Sequence, residues 1–466
     1  MNLIDSIIAL TYLLAASLFI YGIREMSSPA TARRGNLLAA VGMFLAIAAT
    51  LIDRQIVSYS WIMVGIVIGS LIGAVTAYKV KMTAMPQMVG AFNGFGGGAS
   101  ALVAIAEFLR LIGETDSLMR FDTSVTIMLS IIIGAVTFSG SFIAYGKLEG
   151  ILSGAPMTFP GQKVINALVL ISLVILSIYL VAVDHNMSLF YLLVGLSFLY
   201  GIMFVIPIGG ADMPVVISLL NSFSGMAACT AGFVVENNIL IIAGSLVGSA
   251  GLILTQIMCK AMNRSLANVL FSAFGTGDAG AGSIRSSGDK AVRSVDAEEA
   301  AMIMGYAQSA VIVPGYGMAA AQAQHAVREL TELLESRGVD VKFAIHPVAG
   351  RMPGHMNVLL AEAQLPYTLL HDMDDINVEF PHTDVALVIG ANDVINPAAR
   401  TDKSSPIYGM PILDVDKAKN IIIIKRSMNT GFAGIENELF YNPKTMMYFG
   451  GAREKVQELV SEVKKL

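Results

Sequence analysis

Charged residues are scarce in this chain of 466 residues. They make up 14% of it, whereas they make up about a quarter of an average soluble protein. The scarcity is uneven, because residues 1–264 hold 12 basic and 11 acidic residues while the remaining 202 hold 18 and 24. Hydrophobic residues reach 55% and the mean hydropathy is +0.67. The composition excludes a purely soluble protein and predicts a membrane part followed by a soluble part.

Cysteine is nearly absent as well. The two cysteines, Cys229 and Cys259, lie in apolar segments, which excludes a disulfide framework and suits a soluble part in a reducing compartment. The soluble part is mildly acidic, and this argues against a nucleic acid partner.

Long apolar runs fill the first part of the chain. A helix needs about 20 apolar residues to cross a bilayer, and nine runs reach that length, near residues 3–23, 36–53, 57–78, 86–109, 124–146, 163–183, 186–206, 213–235 and 237–261. We expect that the first run is not a cleaved signal peptide, because its N-terminal end carries Asp5 and no basic residue.

The loop charges predict the orientation of the nine spans. With the N-terminus outside, alternate loops place nine basic residues in the cytoplasm, namely Arg24, Arg33, Arg34, Lys79, Lys81, Lys147, Lys163, Lys260 and Arg264. Only Arg54, Arg110 and Arg120 then lie outside. This bias puts the C-terminal part in the cytoplasm.

Small and polar residues interrupt the spans. Gly65, Gly69 and Gly73, and a run of small residues at 94–100, have the spacing of close helix contacts. Four polar side chains at membrane depth need internal partners or a water-filled path: Asn93, Ser141, Asp212 and Asn221. Hydrogen bonds between helices are the alternative to a functional role for the first, second and fourth, and an N-cap of the next helix is the alternative for Asp212.

Glycine and serine dominate residues 265–292, which predicts a flexible linker between a transmembrane domain, 1–264, and a soluble domain, 293–466. Asp296, with Glu299 three residues later, predicts the start of a helix.

A βα unit follows. Residues 309–314 read as a strand, Gly315, Tyr316 and Gly317 as a tight turn, and residues 321–335 as an amphipathic helix that stops at Gly338. With Ala320 in place of a third glycine, the pattern predicts a dinucleotide site, the alternative being a merely structural turn. Further strands predicted at 339–346, 384–389, 411–415 and 420–424 indicate a Rossmann-like α/β domain with a doubly wound parallel sheet.

The strand ends indicate which dinucleotide binds. The second strand ends at His346 and Pro347, without the acidic residue that usually holds the ribose of NAD. The fifth ends at Lys425, Arg426 and Ser427, a receptor for the 2′-phosphate of NADP. An exposed basic strand end is the alternative.

The blocks at residues 313–319, 346–357, 390–397, 409–411, 425–427 and 431–434 make the whole chain resemble the beta subunit of proton-translocating NAD(P) transhydrogenase. The resemblance implies hydride transfer from NADH to NADP+ coupled to proton translocation. It implies NADP(H) bound by this chain and NAD(H) by an alpha subunit, a dimer of alpha–beta units, and a bacterial inner membrane location.

The resemblance also implies site residues. Asp393 is the acidic residue beside the cofactor, and residues from Gly409 to Lys425, together with the Gly431 segment, form a lid. Asn93, Ser141, Asp212 and Asn221 match positions tied to the proton path or its coupling. The implied NADP(H) contacts are Tyr316, Val348, Ala349, Gly350, Arg351, Met352, Pro353, Gly390, Ala391, Asn392, Asp393, Val394, Gly409, Met410, Lys425, Arg426, Ser427, Gly431, Phe432, Gly451 and Ala452, to which the glycine turn adds Gly315 and Gly317.

Two residues depart from the family. Many relatives carry histidine where this chain has Asn93, which does not titrate and so cannot accept the proton. Phe432 replaces a common tyrosine. None of the six histidines lies in a span, and His185 at an outer helix junction is the nearest. The main alternative function is a transporter or channel gated by a nucleotide-sensing domain, and a structural membrane anchor is a third.

Overall fold

The structure is a computed structural model that describes residues 3–52, 59–81, 84–113, 120–154, 156–183, 186–263, 265–271, 292–405, 407–431 and 433–466. Two compact units make up the chain. The first comprises Met1–Gly209 and Val216–Thr255, and the second comprises Gly210–Val215 and Gln256–Leu466.

Nine helices within the described residues are long and apolar enough to cross a membrane, as predicted. They are α1 (Leu3–Glu25), α2 (Pro29–Ile52), α3 (Tyr59–Lys79), α4 (Met85–Gly113), α5 (Phe121–Glu149), α6 (Gln162–Ala182), α7 (Met187–Val205), α8 (Met213–Val234) and α9 (Asn238–Ala261). The second begins seven residues before its apolar run, because a helix continues through polar residues that need no burial. Arg54 and Arg264, two of the loop charges, and His185, the histidine nearest to a span, lie outside the described residues.

Glycines set the closest approaches between these helices. A Cβ on Gly97 of α4 would lie 2.7 Å from the Thr137 Cβ of α5, and one on Gly134 would lie 2.6 Å from the Gly97 carbonyl oxygen. The predicted close contact of residues 94–100 is thereby confirmed. The stripe on α3 differs, since a Cβ on Gly65, Gly69 or Gly73 would meet nothing within 4 Å.

Helices α8 and α9 are in backbone contact at glycines that the sequence analysis did not single out. A Cβ on Gly225 would lie 2.3 Å from the Gly248 nitrogen, and one on Gly244 would lie 2.4 Å from the Cys229 nitrogen. Near these glycines, Ser222 donates a hydrogen bond to the Gly248 carbonyl oxygen at 2.6 Å.

A short helix, α10 (Leu266–Phe271), lies at the start of the predicted linker, and residues 272–291 of that linker lie outside the described residues. The remaining helices of the second unit are α11 (Ala297–Gly305), α12 (Tyr316–Ala320), α13 (Gln324–Ser336), α14 (His355–Glu362), α15 (Met373–Ile376), α16 (Ala398–Thr401) and α17 (Ala452–Val463). The cap of α11 is as predicted, because the Asp296 carboxylate accepts a hydrogen bond from the Glu299 amide at 2.9 Å.

Six parallel strands form the sheet of the second unit: β1 (Ser309–Pro314), β2 (Asp340–Ile345), β3 (Leu370–Asp372), β4 (Val385–Ile389), β5 (Asn420–Lys425) and β6 (Thr445–Phe449). Their order is β3-β2-β1-β4-β5-β6. From β1 the chain builds one half of the sheet as far as β3, then crosses back to β4 and builds the other half, so the strand order reverses at the neighbouring strands β1 and β4. The prediction of a doubly wound parallel sheet is confirmed. Strands β3 and β6 were not predicted.

The strand predicted at 411–415 is wrong. Residues 411–414 have no regular secondary structure, and Val415 begins a 3-10 helix, Val415–Lys417. The backbone pairs outside the sheet: Leu413 donates to the Val394 carbonyl oxygen at 2.9 Å, and the Asn377 side chain bonds the Ile412 oxygen and the Asp414 nitrogen. Pro411 has no N–H to give to a ladder. Its carbonyl oxygen contacts His346 Nε2 instead, at 2.9 Å.

Candidate functional site

The residues predicted to contact a dinucleotide follow the carboxyl ends of five strands. They are Gly315, Tyr316 and Gly317 after β1, residues 348–353 after β2, residues 390–394 after β4, Lys425 to Ser427 at the end of β5, and Gly451 and Ala452 after β6. Because the strands are parallel, these ends lie along one edge of the sheet. Open α/β sheets bind ligands at that edge, beside the point where the strand order reverses.

Glycines bring two loops into contact at the reversal point. The Gly315 amide donates to the Ile389 carbonyl oxygen at 2.9 Å, and the Gly317 amide donates to Gly390 at 3.0 Å. A Cβ on Gly315 would lie 2.4 Å from the Ala391 Cα, and one on Gly390, whose φ is +66°, would lie 2.3 Å from the Gly317 Cα. Side chains are therefore excluded at these positions by contact between the loops.

An aromatic and cationic cluster lies at the start of α12. Tyr316 and Gly317, predicted as part of a tight turn, are the first residues of this short helix, and Gly315 precedes it in an extended conformation. The Arg351 guanidinium carbon lies 4.3 Å from the centre of the Tyr316 ring, a cation–π contact. The Arg351 amide donates to His355 Nδ1 at 3.0 Å, and Gly350 at φ +109° passes so close to that imidazole that a Cβ would lie 2.5 Å from it. Burial and the Arg351 charge lower the pKa of His355 to about 4, so this histidine is neutral at pH 7.

His346 joins two of the predicted contact segments, although the sequence analysis did not assign it to the site. Its Nδ1 accepts a hydrogen bond from the Val348 amide at 3.2 Å, and its Nε2 donates to the Pro411 carbonyl oxygen. Burial lowers its pKa to about 4. The neutral imidazole thereby holds the loop after β2 against the segment that contains Gly409 and Met410.

Asp393 lies under the segment that contains Gly431. One carboxylate oxygen accepts a hydrogen bond from the Ala433 amide at 3.0 Å, and a Cβ on Gly431 would lie 2.5 Å from the other. Phe432 lies outside the described residues.

The basic end of β5 is partly turned into the protein. Lys425 Nζ donates to the Asn429 carbonyl oxygen and lies 4.5 Å from the centre of the Phe440 ring. Burial lowers the pKa of Lys425, and the negative charge of Asp393 opposes that shift. Arg426 is exposed and Ser427 is half-buried. The three residues share one strand end, as predicted.

Gly409 and Met410 lie in the segment expected to act as a lid. Gly409 adopts φ +79°, and its amide donates to the Ala399 carbonyl oxygen at 2.8 Å. Met410 is buried in a small apolar cluster whose other members are Ala399, Ile407, Ile412, Ala433 and Ile435. The Gly409 and Gly431 segments therefore pack against each other.

In the first unit, Asn93 and Ser141 are in contact. Asn93 Nδ2 on α4 donates to Ser141 Oγ on α5 at 3.0 Å, and Ser224 Oγ on α8 donates to the Asn93 carbonyl oxygen at 3.3 Å. These are the hydrogen bonds between helices that the sequence analysis gave as the alternative. Asn221 is half-buried three residues before Ser224. Asp212 belongs to the second unit, where it is 9% exposed in the turn Gly210–Asp212.

Comparison with known proteins gives one consistent result. The family model of the NAD(P) transhydrogenase beta subunit matches residues 8–462. Two relatives described as NAD(P) transhydrogenase subunit beta, one from Rhodospirillum rubrum and one from a named strain of that species, are each 51% identical over 453 residues. The match covers 96% of this chain and 97% of each relative.

Proposed function

From the premise that this chain belongs to the beta subunit family of NAD(P) transhydrogenase, the proton-translocating enzyme, we propose that its second unit binds NADP(H) while an alpha subunit binds NAD(H). Membership implies an alpha subunit partner. Nothing in the comparisons supports the nucleotide-gated transporter. The family resemblance implies this division of the two nucleotides between the subunits, and the geometry of the second unit supports it.

The observation that carries this proposal is the convergence of the candidate contacts on five carboxyl strand ends along one sheet edge. A dinucleotide also suits the local chemistry. Asn392 Nδ2 is a buried donor without a hydrogen-bond partner among the described residues, and a bound nucleotide offers acceptors to such a group.

The 2′-phosphate of NADP(H) is assigned to Lys425, Arg426 and Ser427. Two cations and a hydroxyl at one strand end suit a dianionic phosphate. The residue that follows β2 is His346 and not a carboxylate, and both of its ring nitrogens are hydrogen-bonded, to Val348 and to Pro411, so it does not take a ribose hydroxyl. This assignment favours NADP(H) over NAD(H).

The chemistry in this chain is positioning. Bound NADP+ supplies the hydride acceptor. The Gly315 turn and the residues after β4 fix the depth of the nucleotide, Arg351 and Tyr316 lie beside it, and the Gly409 and Gly431 segments exclude water. Asp393, under the Gly431 segment, is the group through which the redox state of the cofactor is linked to protonation.

The proton path is assigned to Asn93, Ser141, Asp212 and Asn221. An amide and a hydroxyl orient water but do not titrate near neutral pH, so we infer that a partner helix supplies the titrating group beside Asn93. The chain would lie in a bacterial inner membrane with its N-terminus outside and its second unit in the cytoplasm, surrounded by lipid and assembled as a dimer of alpha–beta units.

The test is a titration of the purified full chain in detergent with NADPH and with NADH, followed by the fluorescence of the reduced nicotinamide. We expect tight NADPH binding and NADH binding weaker by at least about 100-fold, because two charge-assisted hydrogen bonds together contribute at least about 3 kcal/mol. Lys425→Ala with Arg426→Ala abolishes the preference by weakening NADPH alone. Lys464→Ala with Lys465→Ala, at the end of α17, removes the same charge as a control.

Two results would count against the assignment. Equal or absent binding of both nucleotides by the native chain would remove the NADP(H) site from this subunit. Equal losses for both nucleotides in the Lys425 and Arg426 variant would move the phosphate site elsewhere.

A further inference from the structure

Residues 433–437, here called the lid segment, are tied to the loop after β4 by three side chains. Asp393 accepts from the Ala433 amide, and Asn396 Nδ2 donates to the Glu436 carbonyl oxygen at 3.1 Å. Asn437 Nδ2 donates to both the carbonyl oxygen and Oδ1 of Asn392, each at 3.1 Å. The loop that follows β4 is thus bonded to the lid segment along its length.

Of these three side chains, Asn437 is the one that belongs to the lid segment. It is 1% exposed, and its Oδ1 accepts a hydrogen bond from the Leu439 amide at 3.0 Å. One end of its amide therefore shapes the turn that follows the lid segment, while the other end holds Asn392.

Asn392 is in turn placed by Asn437. Its backbone lies at φ −140° and ψ −78°, outside the helical and extended regions. Because its Oδ1 takes the Asn437 hydrogen bond, its Nδ2 remains the buried donor without a partner among the described residues. Asn392 also stands between Ala391 and Asp393, both candidate cofactor contacts.

We propose that Asn437 is a positioning residue that closes the lid segment over the cofactor, and that its hydrogen bonds to Asn392 limit the rate at which NADP(H) leaves. The proposal rests on the proposed function. Lid opening has to break these bonds together with those made by Asn396 and Asp393, and it separates Ala433 and Ile435 from Met410 in the apolar cluster.

The variant Asn437→Asp tests the donor alone. A carboxylate keeps the oxygen that caps Leu439 but replaces Nδ2 by an oxygen that repels both Asn392 acceptors. Asn442→Asp is the matched control, because it adds the same charge five residues away while its Oδ1 keeps the bond from the Lys444 amide. Asn437→Ala removes donor and acceptor together.

The measurement is the release of NADPH from the loaded full chain in detergent, chased with excess NADP+, at pH 8 and pH 5.5. At pH 8 we expect Asn437→Asp to release NADPH about tenfold faster than the native chain, the ratio for one lost buried hydrogen bond. At pH 5.5 the protonated carboxyl donates to Asn392 and release slows toward the native rate, because burial beside two acceptors raises the pKa of a carboxyl. Asn437→Ala stays fast at both values.

Other titrating groups surround the bond: Asp393 and Lys425 from the strand ends, and Glu436, Glu438 and Tyr441 along the chain. Their effects cancel because each variant is compared with the native chain and with Asn442→Asp at the same pH.

The outcomes separate cleanly. If both Asn437 variants release NADPH at the native rate, the proposal is overturned. It is also overturned if Asn437→Asp releases NADPH fast and this release does not slow at pH 5.5. If Asn437→Asp releases NADPH at the native rate at both pH values while Asn437→Ala releases it fast, the proposal is supported, because the carboxyl is then protonated at both values. Failure of the native chain to bind NADPH at all would instead overturn the proposed function.

Discussion

Two neutral histidines accept hydrogen bonds from the backbone of the loop after β2. His346 is 2% exposed and His355 is 1% exposed, and in each the Nδ1 atom accepts a backbone hydrogen bond. A proton on Nδ1 would remove that acceptor and place a charge in a dry site. The conformation of residues 348–353 therefore depends on both imidazoles remaining unprotonated.

This dependence predicts that acid destabilises the second unit. The pKa of His346 is about 4 in the folded chain and 6.5 for an ordinary histidine, so the unfolded chain takes up the proton first as the pH falls. The stability contributed by the neutral form is complete above pH 6.5 and is lost between 6.5 and 4. From pH 7 to pH 5 the loss is about 2 kcal/mol for this group.

Pulse proteolysis of the full chain in urea at pH 7 and pH 5 measures this loss. His346→Gln should flatten the pH dependence of the unfolding free energy by about that amount, and exposed His325→Gln should leave it unchanged. If the unfolding free energy of the His346 variant depended on pH as it does in the native chain, the conclusion that the folded chain holds His346 neutral would be wrong.

Side-chain partners were predictable only where the chemistry permits few alternatives. A polar amide at membrane depth has to find a partner, so a hydrogen bond from Asn93 to a neighbouring helix could be expected, and Ser141 provides it. The partners of His346 and Asn437 could not, because both side chains lie in water-soluble loops, where many backbone and side-chain groups could serve as partners. Only the fold brings those pairs together.

At the scale of elements, length decided what the sequence could predict. Nine apolar runs long enough to cross a bilayer were predicted, and the described residues contain nine helices long and apolar enough to do so. Strand β3 has three residues, too few for a pattern to stand out from chance. Strand β6 is as long as β4, but its methionines indicate a strand less clearly than the valines and isoleucine of β4 do. Residues 411–415 have the composition of a strand, but Pro411 and the Asn377 side chain direct their backbone elsewhere.

Helix contacts predict opposite effects of one substitution at two glycines. Gly134→Ala on α5 forces a methyl group to within 2.6 Å of the Gly97 carbonyl oxygen and pushes α4 away. We expect a loss of about 1–3 kcal/mol from this overpacking. Gly69→Ala on α3 meets nothing within 4 Å and gains about 1 kcal/mol of helix propensity.

Retention of monodisperse full chain after heating in detergent measures both effects. The Gly134 variant should aggregate at a lower temperature than the native chain, and the Gly69 variant at the same or a higher temperature. Equal behaviour of the two variants would show that the contact between α4 and α5 does not determine stability.

The division of the whole molecule follows from solvent. A bilayer selects apolar side chains and water selects charged ones, so the change in charge density near residue 264 predicted a membrane part and a soluble part. The structure divides the chain near the same place, although Gly210–Val215 and the end of α9 group with the second unit. Composition cannot predict such grouping, because it depends on contacts and not on polarity.

Hydride transfer between two nucleotides needs a binding site for each of them. Hydride transfer between two nicotinamides needs two nucleotides held face to face, and the described residues contain one six-stranded sheet with one reversal point. We therefore expect the purified chain to bind NADP(H) yet to show no transfer from NADH to NADP+, whereas addition of an alpha subunit restores transfer. Absorbance of a reduced NAD analogue, measured with and without that subunit, distinguishes the two states. Sustained turnover by the chain alone would mean that it also holds NAD(H), and the division of nucleotides between the subunits would then be wrong.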